Sequence, residues 1–417
     1  MTEFRGQAHA ARVAPTGRLG RLDIAGNVLV LLTLGGFLVL PHGQANSFST
    51  YLIALLVYLQ PRNFVQDLRA QPVLCLVAAI GSYASCSVWW STGGDATVFF
   101  HQLVEALLVL AFVVATVRLA GSRIWLDRVL MGTVLVGTSV TALMLFDYLV
   151  SWDLAEPFVR LDGTGGAYGR LRNAVVLAMV LGFIAFVAGT FAINAGGLTR
   201  VAWTFCCLLL TVAVVLSQTR TVWLALPLSL GYYFLRRSGF RRSGFVVIAI
   251  WSLATAAAAI LFALMVNQHF PSAWEQLIER GLGHRPEIWQ MAITEVGGNI
   301  LLGLGALATP AFPLVTWDGI PFNAHHPHSV FVSAYYFGGI TGLALLVVTT
   351  VLAVRRAGTR ASAMLLFGVF ILILDGGQVV DKVNAIWLLL WLPVGLALGN
   401  QSDARPSRDV CLTEDLQ

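Results

Sequence analysis

Long apolar runs separated by short polar stretches give this chain its character. The runs fall at roughly 24–40, 48–60, 72–90, 98–117, 126–150, 174–194, 201–217, 221–236, 245–266, 328–354, 361–375 and 383–400. Runs of about 17–25 apolar residues match helices that cross a hydrocarbon core of ~30 Å. The apolar positions are continuous rather than alternating, which favours helices over barrel strands. The pattern predicts an all-α polytopic membrane protein of about twelve transmembrane helices. No internal repeat is visible, and residues 1–417 read as a single membrane domain.

Two polar intervals break this rhythm, at 151–173 and 267–327. Connections longer than about 15 residues are uncommon unless functional or disordered. The second carries helical signals of its own. Pro286 suits a first helical turn, EIWQMAITEV follows with helical spacing, and Gly297 and Gly298 suit a terminus. This predicts a short helix lying along the membrane surface.

Composition agrees with lipid as the solvent. The chain is 57% hydrophobic and 11% charged, with mean hydropathy +0.78. A soluble domain carries about 25% charged residues. The net charge of +5 comes almost wholly from arginine, Lys382 being the only lysine. In a soluble protein such a balance would suggest nucleic acid, but no aromatic-plus-basic strip is present. Topology accounts for it better, because cytoplasmic loops collect Arg and Lys. With the N-terminus inside, only Arg160, Arg170, Arg172, Arg220, Arg280, Arg285 and Lys382 of the 26 Lys and Arg fall outside. Both termini are therefore expected in the cytoplasm, with 1–22 and 401–417 as tails and 267–327 as a loop on the outer side. No small-residue cleavage site follows the first apolar run, so 1–22 reads as a tail rather than a signal. Cys75, Cys86, Cys206, Cys207 and Cys411 show no metal or disulfide spacing.

The outside arginines run against the trend, and four need a local reason: Arg170, Arg172, Arg220 and Arg285. Arg220 sits in LSQTRTVWLAL, where two apolar runs meet. It reads either as a guanidinium clamp for phosphate or as a side chain snorkelling to lipid headgroups. Arg285 stands at the predicted start of the surface helix, where free N–H groups already favour an anion. The alternative is a surface pair with Glu279 or Glu287. His325, His326 and His328 form HHPH. A metal would need further converging ligands, and Pro327 breaks any helical register among the three. A general base needs only one imidazole, and His328 is favoured because it opens the next apolar helix. His325 and His326 then line the loop. Asp375 and Asp381 flank the turn DGGQVVDK, either orienting a base or lying in a solvated turn. His101 and Glu105, at i and i+4, read as a local pair or a proton relay. GLGAL at 303–307 lacks the preceding strand of a dinucleotide site. No P-loop, G-x-S-x-G or Asp-rich nucleotide-sugar motif occurs.

Three pieces in this order resemble the O-antigen ligase and polymerase family of bacterial envelope enzymes. They are Ser217, Gln218, Thr219 and Arg220 followed by TVWLAL; Arg285 with Trp289 and the later NILLGLG; and His328 followed by ten residues and Gly339. Together they span about 201–345, with a weak echo at GRLRNAVVLAMVL. Where the family often has Asn after the histidine, this chain has Ser329. The resemblance implies a glycosyltransferase with an undecaprenyl-diphosphate-linked glycan as donor and lipid A–core as acceptor, acting on the periplasmic side of the bacterial inner membrane. It implies inversion at the anomeric carbon without metal or cofactor. Arg220 and Arg285 would hold the diphosphate and His328 would deprotonate the acceptor. Asp381 or Asp375 would orient the base, His326 would line the site, and Arg170 and Arg172 would extend its basic rim. A polymerase or a protein O-oligosaccharyltransferase would share the donor. The rivals from other classes are a transporter or flippase for lipid-linked sugars and a non-catalytic scaffold. Against the transporter, polar residues gather at one face and no repeat is seen.

Overall fold

The computed structural model describes residues 21–40, 44–151, 160–162, 171, 173–238, 283–315 and 319–399. The expected span 245–266, residues 1–20 and 401–417 of the tails, Arg170 and Arg172 lie outside the described residues.

The chain is a helical multi-pass membrane protein. In order, α1 (Arg21–Val39), α2 (Gln44–Tyr58), α3 (Pro61–Ala70) and α4 (Pro72–Cys86) are followed by a 3-10 turn at Ser87–Trp90. Then come α5 (Ala96–Ala120), α6 (Arg123–Val150), α7 (Ala174–Asn194), α8 (Gly197–Leu216) and α9 (Arg220–Arg237). After the undescribed stretch come α10 (Arg285–Val296), strands β1 (Phe312–Val315) and β2 (Pro321–Ala324), α11 (Val330–Arg356) and α12 (Thr359–Leu374). A π-helical turn at Trp387–Trp391 leads into α13 (Leu392–Gly399).

Of the expected spans, seven described helices have the length and apolarity to cross a membrane. Asn46–Tyr58, Thr359–Leu374 and Trp387–Gly399 are apolar but shorter. α9 has 18 residues and carries arginine at both ends. Two further elements were not anticipated. The interval after the second span is the helix α3, begun by Pro61 in its first turn, with Phe64 and Leu68 packed on the core. It lies beside the bundle in the manner of an interfacial amphipathic helix. The all-α expectation also fails locally, because β1 and β2 pair antiparallel, Phe312 opposite Ala324 and Val315 opposite Pro321. Each strand is four residues long and contains a proline, so no alternation betrays it. Phe312 and Ala324 instead take their place by packing on Tyr336 of α11.

Within lipid, apolar burial gives little net drive between helices, so close packing carries the association. α5 and α13 show how close it is: a Cβ on Gly395 would stand 1.7 Å from Thr116 Oγ1. α7 runs through the middle, and nearly every residue from Leu177 to Phe191 is buried. On α8, Val201, Phe205, Leu208 and Val212 form an exposed stripe, the surface expected against lipid tails.

The bundle has two distinct ends. One is stitched by arginines, Arg118 Nε to Asp67 at 2.9 Å and Arg356 Nη1 to Gln71 Oε1 at 3.2 Å. The opposite end carries the segment with α10, β1 and β2, here termed the loop face. α9 and α12 run antiparallel, because Tyr232 near the end of one bonds Ser362 near the start of the other at 3.5 Å. Stepping at about 1.5 Å per residue, Arg220 and Asp375 come to nearly the same height at the loop face.

Candidate functional site

Among the described residues only Gln218, His284 and His328 have positive φ without being glycine, at 56°, 57° and 51°. Each stands at the threshold of a helix: α9 beginning with Arg220, α10 beginning with Arg285, and α11 capped by Ser329. A left-handed non-glycine residue is costly and persists where its surroundings over-determine it. Three such residues mark the three segments singled out in the sequence.

His328 is therefore not the first helical residue but the one before the cap. Ser329 is the N-cap, its Oγ accepting from Val332 N at 3.3 Å. Ser and Asn both serve well at that position. Trp289, one turn after Arg285, donates from Nε1 to Pro327 O at 3.0 Å and ties α10 to the histidine loop.

His328 Nδ1 lies 3.4 Å from Asp375 Oδ1, at the long end of a hydrogen bond. The other oxygen of Asp375 is 3.6 Å from Arg285 Nη2. Arg285 Nε also donates to Leu374 O, the last carbonyl of α12, and Gly376 N donates to Asp375 Oδ1 at 2.7 Å. A carboxylate at a helix C-terminus is disfavoured by the helix dipole, so Asp375 requires this cationic company. Burial pushes its carboxyl upward. The His328 hydrogen bond and charge, then Arg285 and the Gly376 N–H, outweigh burial and hold it below the usual carboxylate range. The His326 ring lies against that of His328, centroids 3.9 Å apart and planes tilted by 51°. Desolvation, reinforced by neighbouring His328, holds His326 below the usual histidine range, although Asp375 pulls the other way. His326 is thus neutral at neutral pH.

The ligand-capable atoms of His326, His328 and Asp375 all lie within 4.8 Å of one another, close enough for one cation. The third donor comes from a segment remote in sequence, so the HHPH pattern could not display it. The Arg285 guanidinium against the same carboxylate opposes a cation there, since it already supplies the positive charge.

α11 is broken at Gly339, with φ 61° and ψ −161°. The stretch NILLGLG satisfies the backbone groups released there. Leu304 N donates to Tyr336 O and Gly305 N to Phe337 O, both at 2.9 Å, and Ile340 N donates to Ile300 O at 2.8 Å. A Cβ on Gly303 would stand 2.5 Å from Gly339 N. The GLG turn is a splint for the kink rather than a ligand loop.

Arg220 lies on the loop face, as the first residue of α9. Its turn is held by Arg160, which donates from Nε to Ser217 O at 2.7 Å and from Nη2 to Thr219 Oγ1 at 3.3 Å. Leu161 N adds a bond to Leu216 O at 3.0 Å. In the sequence Arg160 stands among the outside arginines, and its place against the positive-inside trend is the signal that points to it. Asp381 is not near His328. Its carboxylate accepts from Lys382 N at 2.7 Å and Asn384 Nδ2 at 3.2 Å, and it borders a separate cavity with His101 and Glu105. Of the two aspartates flanking the turn, only Asp375 reaches the imidazole, because α12 ends beside it. His101 and Glu105 form the local pair, 3.5 Å apart.

Two comparisons bear on this arrangement. Residues 205–347 match the protein family described as O-antigen ligase. Over 355 residues the chain is 27% identical to an O-antigen ligase of Pseudomonas aeruginosa, covering 82% of this chain and 80% of that protein. The matched family region includes Arg220, Arg285, His328 and Gly339, but stops before Asp375. Residues 205–347 are thus similar to the O-antigen ligase family, and along most of its length the chain is similar to an O-antigen ligase.

Proposed function

We propose that this chain is a glycosyltransferase of the O-antigen ligase type in the bacterial inner membrane. It would move glycan from undecaprenyl diphosphate to lipid A–core at the periplasmic face, with both termini in the cytoplasm. The observation that carries this reading is the His328–Asp375–Arg285 cluster at the loop face. With Nδ1–H turned to Asp375, the Nε2 lone pair of His328 is left for a substrate proton.

In this mechanism His328 Nε2 takes the proton of the acceptor hydroxyl. The freed oxygen forms a bond to the anomeric carbon as the bond from that carbon to the diphosphate breaks. Attack comes from the face opposite the leaving group, so configuration inverts. The bonding pair departs on undecaprenyl diphosphate, and Arg220 and Arg285 stabilise the growing charge. Asp375 positions both His328 and Arg285, coupling the base to the anion clamp.

The test uses purified protein in lipid nanodiscs with undecaprenyl-diphosphate glycan and lipid A–core, free of metal and nucleotide. Transfer should collapse in His328→Ala and fall strongly in Arg220→Ala and Arg285→Ala. Full transfer by folded His328→Ala would remove the base. A requirement for added divalent metal would convert His326, His328 and Asp375 into a metal site. Elongation of the donor alone would make the protein a polymerase.

A further inference from the structure

At the end of the bundle opposite the loop face, a cavity of about 210 Å³ opens between α6, α7, α9 and α12. Arg123, Arg237 and Arg360 line it, together with Asn194, Tyr233 and Thr359, and among the described residues no carboxylate lines it. This is the end that the arginine distribution puts in the cytoplasm.

The arrangement is more specific than arginines gathered in a wet loop. Arg360 is held by Nη1 on Asp127 Oδ1 and lies over the Phe191 ring at 5.1 Å. Its guanidinium is thus fixed by two neighbours rather than free to snorkel. Arg123 and Arg237 have no carboxylate within ion-pair distance among the described residues. Asn194 Nδ2 donates to Tyr233 Oη at 2.6 Å, which leaves the Tyr233 hydroxyl hydrogen unspent. Thr359, Arg360 and Ala361, the first turn of the 16-residue α12, also border the cavity, and their helix has no side-chain cap. Three guanidiniums dominate the charge of this lining, and the Asn194, Tyr233 and Thr359 side chains can donate as well as accept. Basic pockets between helices on the cytoplasmic side suit the headgroups of anionic lipids.

We infer that the Arg123–Arg237–Arg360 cavity is a phosphate-binding site for the headgroup of an anionic phospholipid at the membrane face remote from the proposed transfer site. Arg123 and Arg237 would fork onto the phosphate oxygens, with Arg360 as the fixed wall.

The full-length chain in phosphatidylcholine nanodiscs, with and without added phosphatidylglycerol, provides the test. Phosphatidylglycerol should raise the unfolding temperature and remain bound in native mass spectrometry, whereas further phosphatidylcholine should do neither. Arg123→Gln with Arg237→Gln should weaken phosphatidylglycerol binding about thirtyfold, and the double Lys variant should keep most of it. The exposed Arg123→Gln change alone provides the same comparison should the pair fail to fold. Stabilisation by inorganic phosphate, lost with the same arginines, would keep the site and assign it a soluble anion. Equal stabilisation by both lipids, or unchanged phosphatidylglycerol binding in the Gln variants, would overturn the inference.

Discussion

Asp375 ends α12 with its carboxylate between two residues from other segments, His328 Nδ1 at 3.4 Å and Arg285 Nη2 at 3.6 Å. One buried acid thus fixes both the proposed base and a proposed phosphate ligand. Asp375→Asn keeps the shape but removes the negative charge that Arg285 and the Nδ1 side of His328 face. Transfer should fall by about 10²-fold or more, the scale of general acid–base contributions. His328→Ala combined with Asp375→Asn should be little worse than His328→Ala alone, because the two act as a unit. Additive losses in transfer kinetics would show that Asp375 works independently of His328.

Arg160 is predicted to act through the turn that presents Arg220. Arg160→Ala removes the bonds to Ser217 O and Thr219 Oγ1. The expected result is a higher KM for the diphosphate donor, by about tenfold, the loss of roughly one charge-assisted bond. An unchanged KM, with correct membrane insertion, would mean that the turn holds without it. Arg220→Lys should also fail to restore full activity, since Lys lacks the planar fork.

The splint at the α11 kink predicts a sharp contrast between two glycines. Gly303→Ala places a Cβ against the Gly339 backbone at φ 69° and should destabilise by about 2–4 kcal/mol. Gly298→Ala meets nothing within 4 Å and should be near neutral. Thermal unfolding in detergent distinguishes them, and equal behaviour would disprove the splint.

Acid sensitivity follows from two shifts of the same sign but different range. His326 is held below its usual value of about 6.5, so in mild acid the unfolded chain binds a proton that the folded one refuses. Its contribution is complete above about pH 6.5 and declines as pH falls. Asp375 is also lowered, so its contribution is complete above the usual carboxylate value of about 3.9 and is lost as pH falls through its folded value. Stability measured against pH should fall in two stages. His326→Gln should abolish the first and Asp375→Asn the second. A first stage that persists in His326→Gln would place it on another group.

Ser329 offers a check on the helix that follows His328. Ser329→Ala should cost about 1 kcal/mol through loss of the cap, whereas Ser329→Asn should retain it. Loss of transfer in Ser329→Asn would mean that the hydroxyl contacts substrate rather than Val332 N.

The sequence by itself determined the solvent, the helical character and the chemistry-bearing segments. Charge is too scarce to cover a soluble surface, and apolar runs of span length have few folded options in lipid. Arginines against the positive-inside trend, with HHPH and the spacing to Gly339, were visible because they stand out in an apolar background. Burial was not legible. α7 and α8 are both apolar all round, and only packing put α7 inside and α8 against lipid. The hairpin was hidden for a related reason, since Phe312 and Ala324 are fixed by α11 rather than by local alternation. The choice between Asp375 and Asp381 also belonged to tertiary structure. The two aspartates stand six positions apart in one turn, and only the height and direction of α12 bring Asp375 to His328 while Asp381 turns to a different cavity. Hydropathy sets which residues leave water; which of them meet depends on contacts between segments far apart along the chain, and those are made only in the folded bundle.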